Sequence, residues 1–171
     1  MPRIGLLSDS HGRARPTRRA VELLLSHGAE VLLHLGDVGS TGVIDALAVT
    51  DPASGTQIEA HLVFGNTDWD TAALARYARD LDVAVDHPAG RLALPEGALV
   101  FCHGHEREPM QQAIRDHARY LCHGHTHQAS DTRDGATRII NPGALHRARQ
   151  YTVALLDTES DALAFYPVPS A

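Results

Sequence analysis

The sequence predicts an α/β fold in which two β-sheets pack face to face with helices on the outside. Three observations lead there. Short runs that are apolar on both faces alternate with helical stretches through the first half, the pattern of a parallel sheet built from βαβ units. The second half changes to hairpin-like pairs of strands, which adds antiparallel pairing. No linker-like composition divides the chain, and 171 residues suit one well-cored domain spanning residues 1–171.

"IGLLS" (4–8), "VLLHL" (31–35) and "HLVFG" (61–65) read as buried strands, each followed by a turn rich in Gly or Asp. The first helix is "RPTRRAVELLLSHG", with Pro16 near its start and Gly28 as its stop. "STGVIDALAV" is a second helix, for which Ser40 or Thr41 supplies the N-cap, and "DTAALARYARDL" is a third, capped by Asp70. Right-handed crossovers then favour a largely parallel first sheet. The loop "TDPASGTQ" (50–57) is too short to separate domains. "GRLALPEGALVFCHG" turns at Pro95 to Gly97 as a hairpin, "EPMQQAIRDHA" is a helix opened by Pro109, and "TRIINPG" and "YTVALLDTESDALAFYPV" supply the last strands, the latter folding at "DTESDA".

A net charge of −6 argues against an extended nucleic-acid-binding surface, while leaving room for a small phosphate-bearing substrate held locally. The N-terminal apolar run is too short for a secretory signal, and no stretch approaches the roughly 20 apolar residues that span a bilayer. A cytoplasmic protein is expected, without membrane contact. Cys102 and Cys122 form the one conceivable disulfide pair, but each precedes a histidine at a strand end, so buried reduced thiols are expected.

Five strand-end segments carry polar residues of metal-ligand type. They are "SDSHG" with Asp9 and His11, "GDVG" with Asp37, "GNTD" with Asn66 and Asp68, "CHGHE" with His103 and His105, and "HGHTH" with His123, His125 and His127. In an open parallel sheet the carboxyl ends of the strands line the ligand crevice, so these segments should converge. Taken singly each is weak, since an Asp after a strand is commonly a turn or cap residue; their combination is what points to a site. Carboxylate, amide oxygen and imidazole together suit borderline first-row ions such as Mn, Fe, Zn or Ni, and not an all-oxygen calcium loop or a thiolate zinc site. With this many donors two ions are more natural than one, and a shared carboxylate bridges such a pair at about 3.5–4 Å.

The ordered set D-x-H, G-D-x, G-N-x-[DE], H-G and G-H-x-H resembles the calcineurin-like metallophosphoesterases. With "INPGA" after the last motif, it looks most like the small YfcE-like phosphodiesterase branch. The resemblance runs from Ile4 to about Gly143. It implies a four-layer αββα sandwich with two mixed sheets and a dinuclear site at the strand ends. It further implies that Asp9, His11 and His127 hold one ion, that Asn66, His103 and His125 hold the other, and that Asp37 bridges them, with manganese the favoured metal. His123 is left without a ligand role, for packing or a supporting hydrogen bond.

The reaction this implies is hydrolysis of a phosphodiester or phosphomonoester, the diester favoured, by a bridging hydroxide attacking phosphorus in line. Two departures qualify it. The histidine that follows the G-N pair in the phosphoprotein phosphatase relatives is replaced by Thr67, too weak an acid to protonate a leaving group. Asp68 is then left to orient neighbours, and His105 is the candidate proton donor ahead of His123. The related "NPGS" pattern has Ala144 here, which removes a hydroxyl; His146, Arg147 and Arg149 nearby offer positive charge or a solvated turn. The rival from another class is a non-catalytic interaction scaffold of the same fold, against which the complete ligand set weighs. Substrate identity and oligomeric state are not legible in the sequence.

Overall fold

Three strands, β1 (Arg3–Leu7), β2 (Val31–Leu35) and β3 (Glu59–Val63), run parallel in the computed structural model, which describes residues 2–51 and 54–169. Their side chains alternate between two interiors, which is why the segments are apolar on both faces. Ile4, Leu6, Val31, Leu33 and Leu35 meet the second sheet, whereas Leu7 and Leu32 meet helices.

The crossovers are α1 (Ala14–Ser26), α2 (Thr41–Leu47) and α3 (Thr71–Asp80). Helix α1 buries Ala20, Val21 and Leu24 and is followed by Gly28 at φ 87°, the left-handed stop that glycine adopts without strain. Asp70 caps α3 by accepting from the Ala73 N–H at 3.0 Å. Ser40 occupies the capping position of α2 without capping it; its hydroxyl instead donates to the Gly12 carbonyl at 3.2 Å, tying the helix start to the loop after β1. Of the loop read at 50–57, residues 52 and 53 lie outside the described residues.

Beyond the short β4 (Ala84–Val85) come the hairpin β5 (Ala89–Leu94) and β6 (Gly97–Cys102), α4 (Arg107–Arg115), and β7 (Tyr120–Cys122). Then follow β8 (Ser130–Asp134), β9 (Thr137–Asn141), β10 (Thr152–Asp157) and β11 (Ala162–Pro167). The strand orders are β11-β10-β1-β2-β3-β4 and β5-β6-β7-β9-β8. Both sheets are mixed. In the first, β10 and β11 pair antiparallel beside the parallel β1–β4; in the second, β6, β7 and β9 are parallel with antiparallel β5 and β8 at the edges.

Between the sheets lies an apolar layer in which Leu99, Phe101, Tyr120, Cys122 and Ile140 oppose the first sheet. On the far side of the second sheet, Val100, Cys102 and Leu121 pack on Ala113 of α4. The order of layers is therefore helices, sheet, sheet, helix, the αββα arrangement expected. Cys102 and Cys122 are buried free thiols on opposite faces of one sheet, and burial raises both above the ordinary thiol range. No helix among the described residues is long and apolar enough to cross a membrane.

Candidate metal centre

The loops that leave β1 and β2 meet through the backbone, as do those that leave β6 and β7, while the loop after β3 joins through the Asp37 and Asp68 carboxylates. Asp9 N–H donates to Gly36 O at 3.0 Å, His11 N–H to Asp37 O at 2.8 Å and Gly124 N–H to His103 O at 3.0 Å. Within them Asp9, His11, Asp37, His125 and His127 all have φ between 45° and 67°. Left-handed backbone costs a non-glycine residue of order 1–3 kcal/mol and persists where surrounding contacts enforce it, commonly at functional sites. All five belong to the strand-end turns that carry the candidate ligands.

On one side stand Asp9, His11 and His127, whose donor atoms lie within 4.8 Å of one another. Asp9 is fully buried; its Oδ2 accepts from the His125 N–H at 3.1 Å, and its Oδ1 stands 3.2 Å from His127 Nε2. Asp9 Oδ1 and His11 Nε2 are both buried without a hydrogen-bond partner.

Asp37 adjoins both sides. Its Oδ2 is 3.3 Å from His11 Nε2 and 3.5 Å from His103 Nε2, while Oδ1 accepts from the Thr67 N–H at 3.0 Å. Burial opposes ionisation of Asp37, but His103 and the Thr67 N–H outweigh it and hold the carboxyl well below the usual range.

His103 closes the second side. The Leu35 carbonyl can only accept, so Nδ1–H of His103 donates to it at 2.8 Å; Nε2 then faces Asn66 Oδ1, 3.1 Å away, and Asp37, and in the neutral ring it meets both oxygens with a lone pair. Acceptors aimed at one another in a buried space call for a proton or a metal ion. Without an ion, Asp37 overcomes the effect of burial and raises the affinity of His103 for a proton. Asp9, Asp37 and His103 also lie within 4.8 Å of one another, and the exposed His125 ring stands 5.1 Å from that of His103. All seven residues that the resemblance pointed to are thus drawn into one cluster.

Around it, Asp68 is spent on the backbone, accepting from the N–H groups of Gly65 (2.8 Å), Val38 (3.1 Å) and Gly39 (2.7 Å). His105 is partly exposed, 5.3 Å from His103 between ring centroids and 3.6 Å from Glu106. Burial, then the neighbouring His103, keeps its proton affinity below the ordinary histidine value. His123 is half-buried against the Gly124 carbonyl at 3.0 Å. Ala144 is fully buried, so that position does not reach solvent, and Arg147 and Arg149 are exposed. His146 packs its ring 5.0 Å from His11, with Nδ1 buried and unpartnered.

Two residues missed in the sequence support the cluster from behind. His34, fully buried on the helix face of β2, bonds Ser10 Oγ at 2.8 Å, and Ser10 in turn accepts from Thr17 of α1 at 2.9 Å. A histidine inside an otherwise apolar strand run was the available signal. Asn141 donates to Gly124 O at 2.8 Å and to Thr126 Oγ1 at 3.0 Å and accepts from Gly143 N–H at 2.9 Å, bracing the loop that carries His125 and His127. A cleft of about 1110 Å³ lies at the opposite end of the first sheet beside Arg3, Glu30 and Glu59. Its acidic lining repels a phosphate, and none of the clustered residues borders it.

The sequence model of the calcineurin-like phosphoesterase superfamily domain matches residues 2–161. Phosphodiesterase MJ0936 of Methanocaldococcus jannaschii is 24% identical over 163 residues, 92% of this chain and 93% of that protein. Phosphodiesterase YfcE of Escherichia coli K12 is 29% identical over 152 residues, 85% of this chain and 80% of that one. Among solved structures, an archaeal phosphodiesterase superposes with a TM-score of 0.83 at 23% identity, covering 97% of this chain and 99% of that one.

Proposed function

Because the chain belongs to the calcineurin-like phosphoesterase superfamily, we propose that it is a metal-dependent phosphoesterase that favours phosphodiesters and works as a single domain over residues 1–171. Two similar proteins named phosphodiesterases support the diester preference. The observation that carries the reading is the pair of buried, unpartnered atoms Asp9 Oδ1 and His11 Nε2 beside His127. A divalent cation fits that donor set and removes the cost of leaving it unpaired.

In this reading Asp9, His11 and His127 hold one ion, Asn66, His103 and His125 hold a second, and Asp37 is shared. Manganese is the favoured metal, with iron, zinc or nickel suited to the same donors. When bound, such ions supply positive charge against the phosphoryl oxygens and make water acidic enough to attack phosphorus in line.

The chain's own residues do the rest. Asp37, held ionised, keeps its negative charge through neutral pH. Asn66 turns its amide oxygen to His103 and leaves its NH₂ to donate to a phosphoryl oxygen. Asp68 fixes the loop that presents Asn66 and Thr67 through its three backbone contacts. His105 delivers a proton from its ring to the departing oxygen in place of the acid that Thr67 cannot be. The substrate is a small phosphoester, and a cytoplasmic setting is in keeping with the two buried reduced thiols.

The test is metal analysis of purified protein together with hydrolysis of bis-4-nitrophenyl phosphate and 4-nitrophenyl phosphate, with and without manganese, beside Asp37→Ala. The expected result is metal-dependent turnover, faster on the diester. Asp37→Ala should lose metal and more activity than the roughly 10–100-fold that loss of an outer-shell partner brings. Absence of both bound metal and turnover in the wild type would point to the scaffold reading, and faster monoester turnover to a phosphomonoesterase.

A further inference from the structure

Trp69 is 93% exposed and is the only tryptophan of the chain. It follows directly on the loop that carries Asn66 and Thr67. Phe165, at 37%, is the one other exposed large apolar side chain among the described residues. Among the described residues none hydrogen-bonds to or stacks on the Trp69 indole, although a ring of this size gains more from burial than any other side chain.

Its backbone is nevertheless fixed. On one side Asp68 accepts three backbone N–H bonds from Gly65, Val38 and Gly39; on the other, Asp70 caps α3. Thr67, two residues earlier, donates its N–H to Asp37 at 3.0 Å. Successive Cα atoms are about 3.8 Å apart, so the Trp69 Cα lies within about 8 Å of that of Thr67. A tryptophan on a rigid segment offers a large contact area with only two side-chain torsions to restrain, which makes it effective for binding.

Resting on the phosphoesterase reading above, we propose that Trp69 is a stacking platform for an aromatic group on the substrate. The group would be a nucleobase or aryl ring carried on the phosphoryl substituent that does not depart. An indole face accepts any flat ring, and base-on-aromatic stacking is sequence-tolerant for that reason. The substrate class then narrows from small phosphoesters to phosphodiesters with one flat aromatic substituent.

The experiment compares thymidine 5′-(4-nitrophenyl phosphate) with methyl 4-nitrophenyl phosphate, which share a leaving group and differ in the substituent that stays. In Trp69→Ala the ratio of kcat/KM for the thymidine ester to that for the methyl ester should fall about tenfold, within the range stacking of one base provides. The change should be carried by KM, and Trp69→Phe should restore most of it. An unchanged ratio overturns the proposal. In parallel, fluorescence of this sole tryptophan in metal-loaded protein is titrated with thymidine 5′-phosphate and with inorganic phosphate. Saturable quenching by the nucleotide alone is expected, and it supports Trp69 even if neither ester is hydrolysed, an outcome that would sink the phosphodiesterase reading instead. No quenching by the nucleotide overturns the proposal. So does a dimer that dissociates in Trp69→Ala with the kcat/KM ratio unchanged, since Trp69 would then be a contact between copies of the chain.

Discussion

His34 shows how much one buried side chain sets at this site. Burial, then the nearby His103 and His11, outweigh the pull of Asp37 and lower its pKa from 6.5 to about 3. The folded protein therefore keeps His34 neutral in the range where the unfolded chain would protonate it. Its contribution to stability is complete above pH 6.5, declines as pH falls towards about 3, and has no further slope below that. Between pH 6.5 and 5 the loss is about 2 kcal/mol, at about 1.4 kcal/mol per pH unit. His34→Gln keeps a polar partner for Ser10 and removes the titration. In urea unfolding of metal-free protein, the stability difference between pH 7 and pH 5 should be smaller in the variant by about that amount; parallel pH profiles would show that His34 is not the responsible group. The signal for His34 was present in "VLLHL", but its partners Ser10 and Thr17 come from other elements, and only their packing together makes the buried ring interpretable.

At the scale of elements, the turns after the strands are built around close approach. A Cβ placed on Gly65 would lie 2.1 Å from Asp37 Oδ1, nearer than any real contact allows. Gly65→Ala should consequently displace Asp37, lower metal affinity by roughly tenfold or more, and leave the circular dichroism spectrum unchanged. Unaltered metal binding, measured by calorimetry, would mean that the loop yields and the carboxylate does not. The strands β1, β2, β6 and β7, the helices, and the ligand-bearing turns were legible because each has a local pattern: an apolar run, a cap, a glycine stop. The expected strand at 61–65 is displaced to Glu59–Val63 because its last residues turn away into the Asn66 loop. Strand β8 went unseen because "SDTRD" is an exposed edge with no apolar face, and β4 because two residues make no period. Ser40 misled for a related reason, since its hydroxyl serves a loop distant in sequence.

Across the whole molecule, the two sheets are joined at the end away from the metal-ligand cluster. Asp161, in the turn between β10 and β11 of the first sheet, accepts from Tyr120 OH and Arg138 Nη1 at the starts of β7 and β9 in the second, each at 2.8 Å. Arg138 also grips Asp131 with two bonds of 2.8 Å. Arg138→Met should cost about 1–3 kcal/mol of stability, as the loss of charged hydrogen bonds does, with kcat/KM on bis-4-nitrophenyl phosphate unaltered; a loss of activity matching the loss of stability would show that the two ends are coupled. That the final hairpin joins the first sheet, leaving both sheets mixed, could not be read from local periodicity, because strand partners are chosen by long-range packing. The apolar seam between the sheets contains none of the seven clustered polar residues. The polar residues of the candidate site sit in the loops at one edge of the sandwich, so a substitution in the loops bearing Trp69 or His146 can change what the site accepts while the seam that holds the sheets together stays intact.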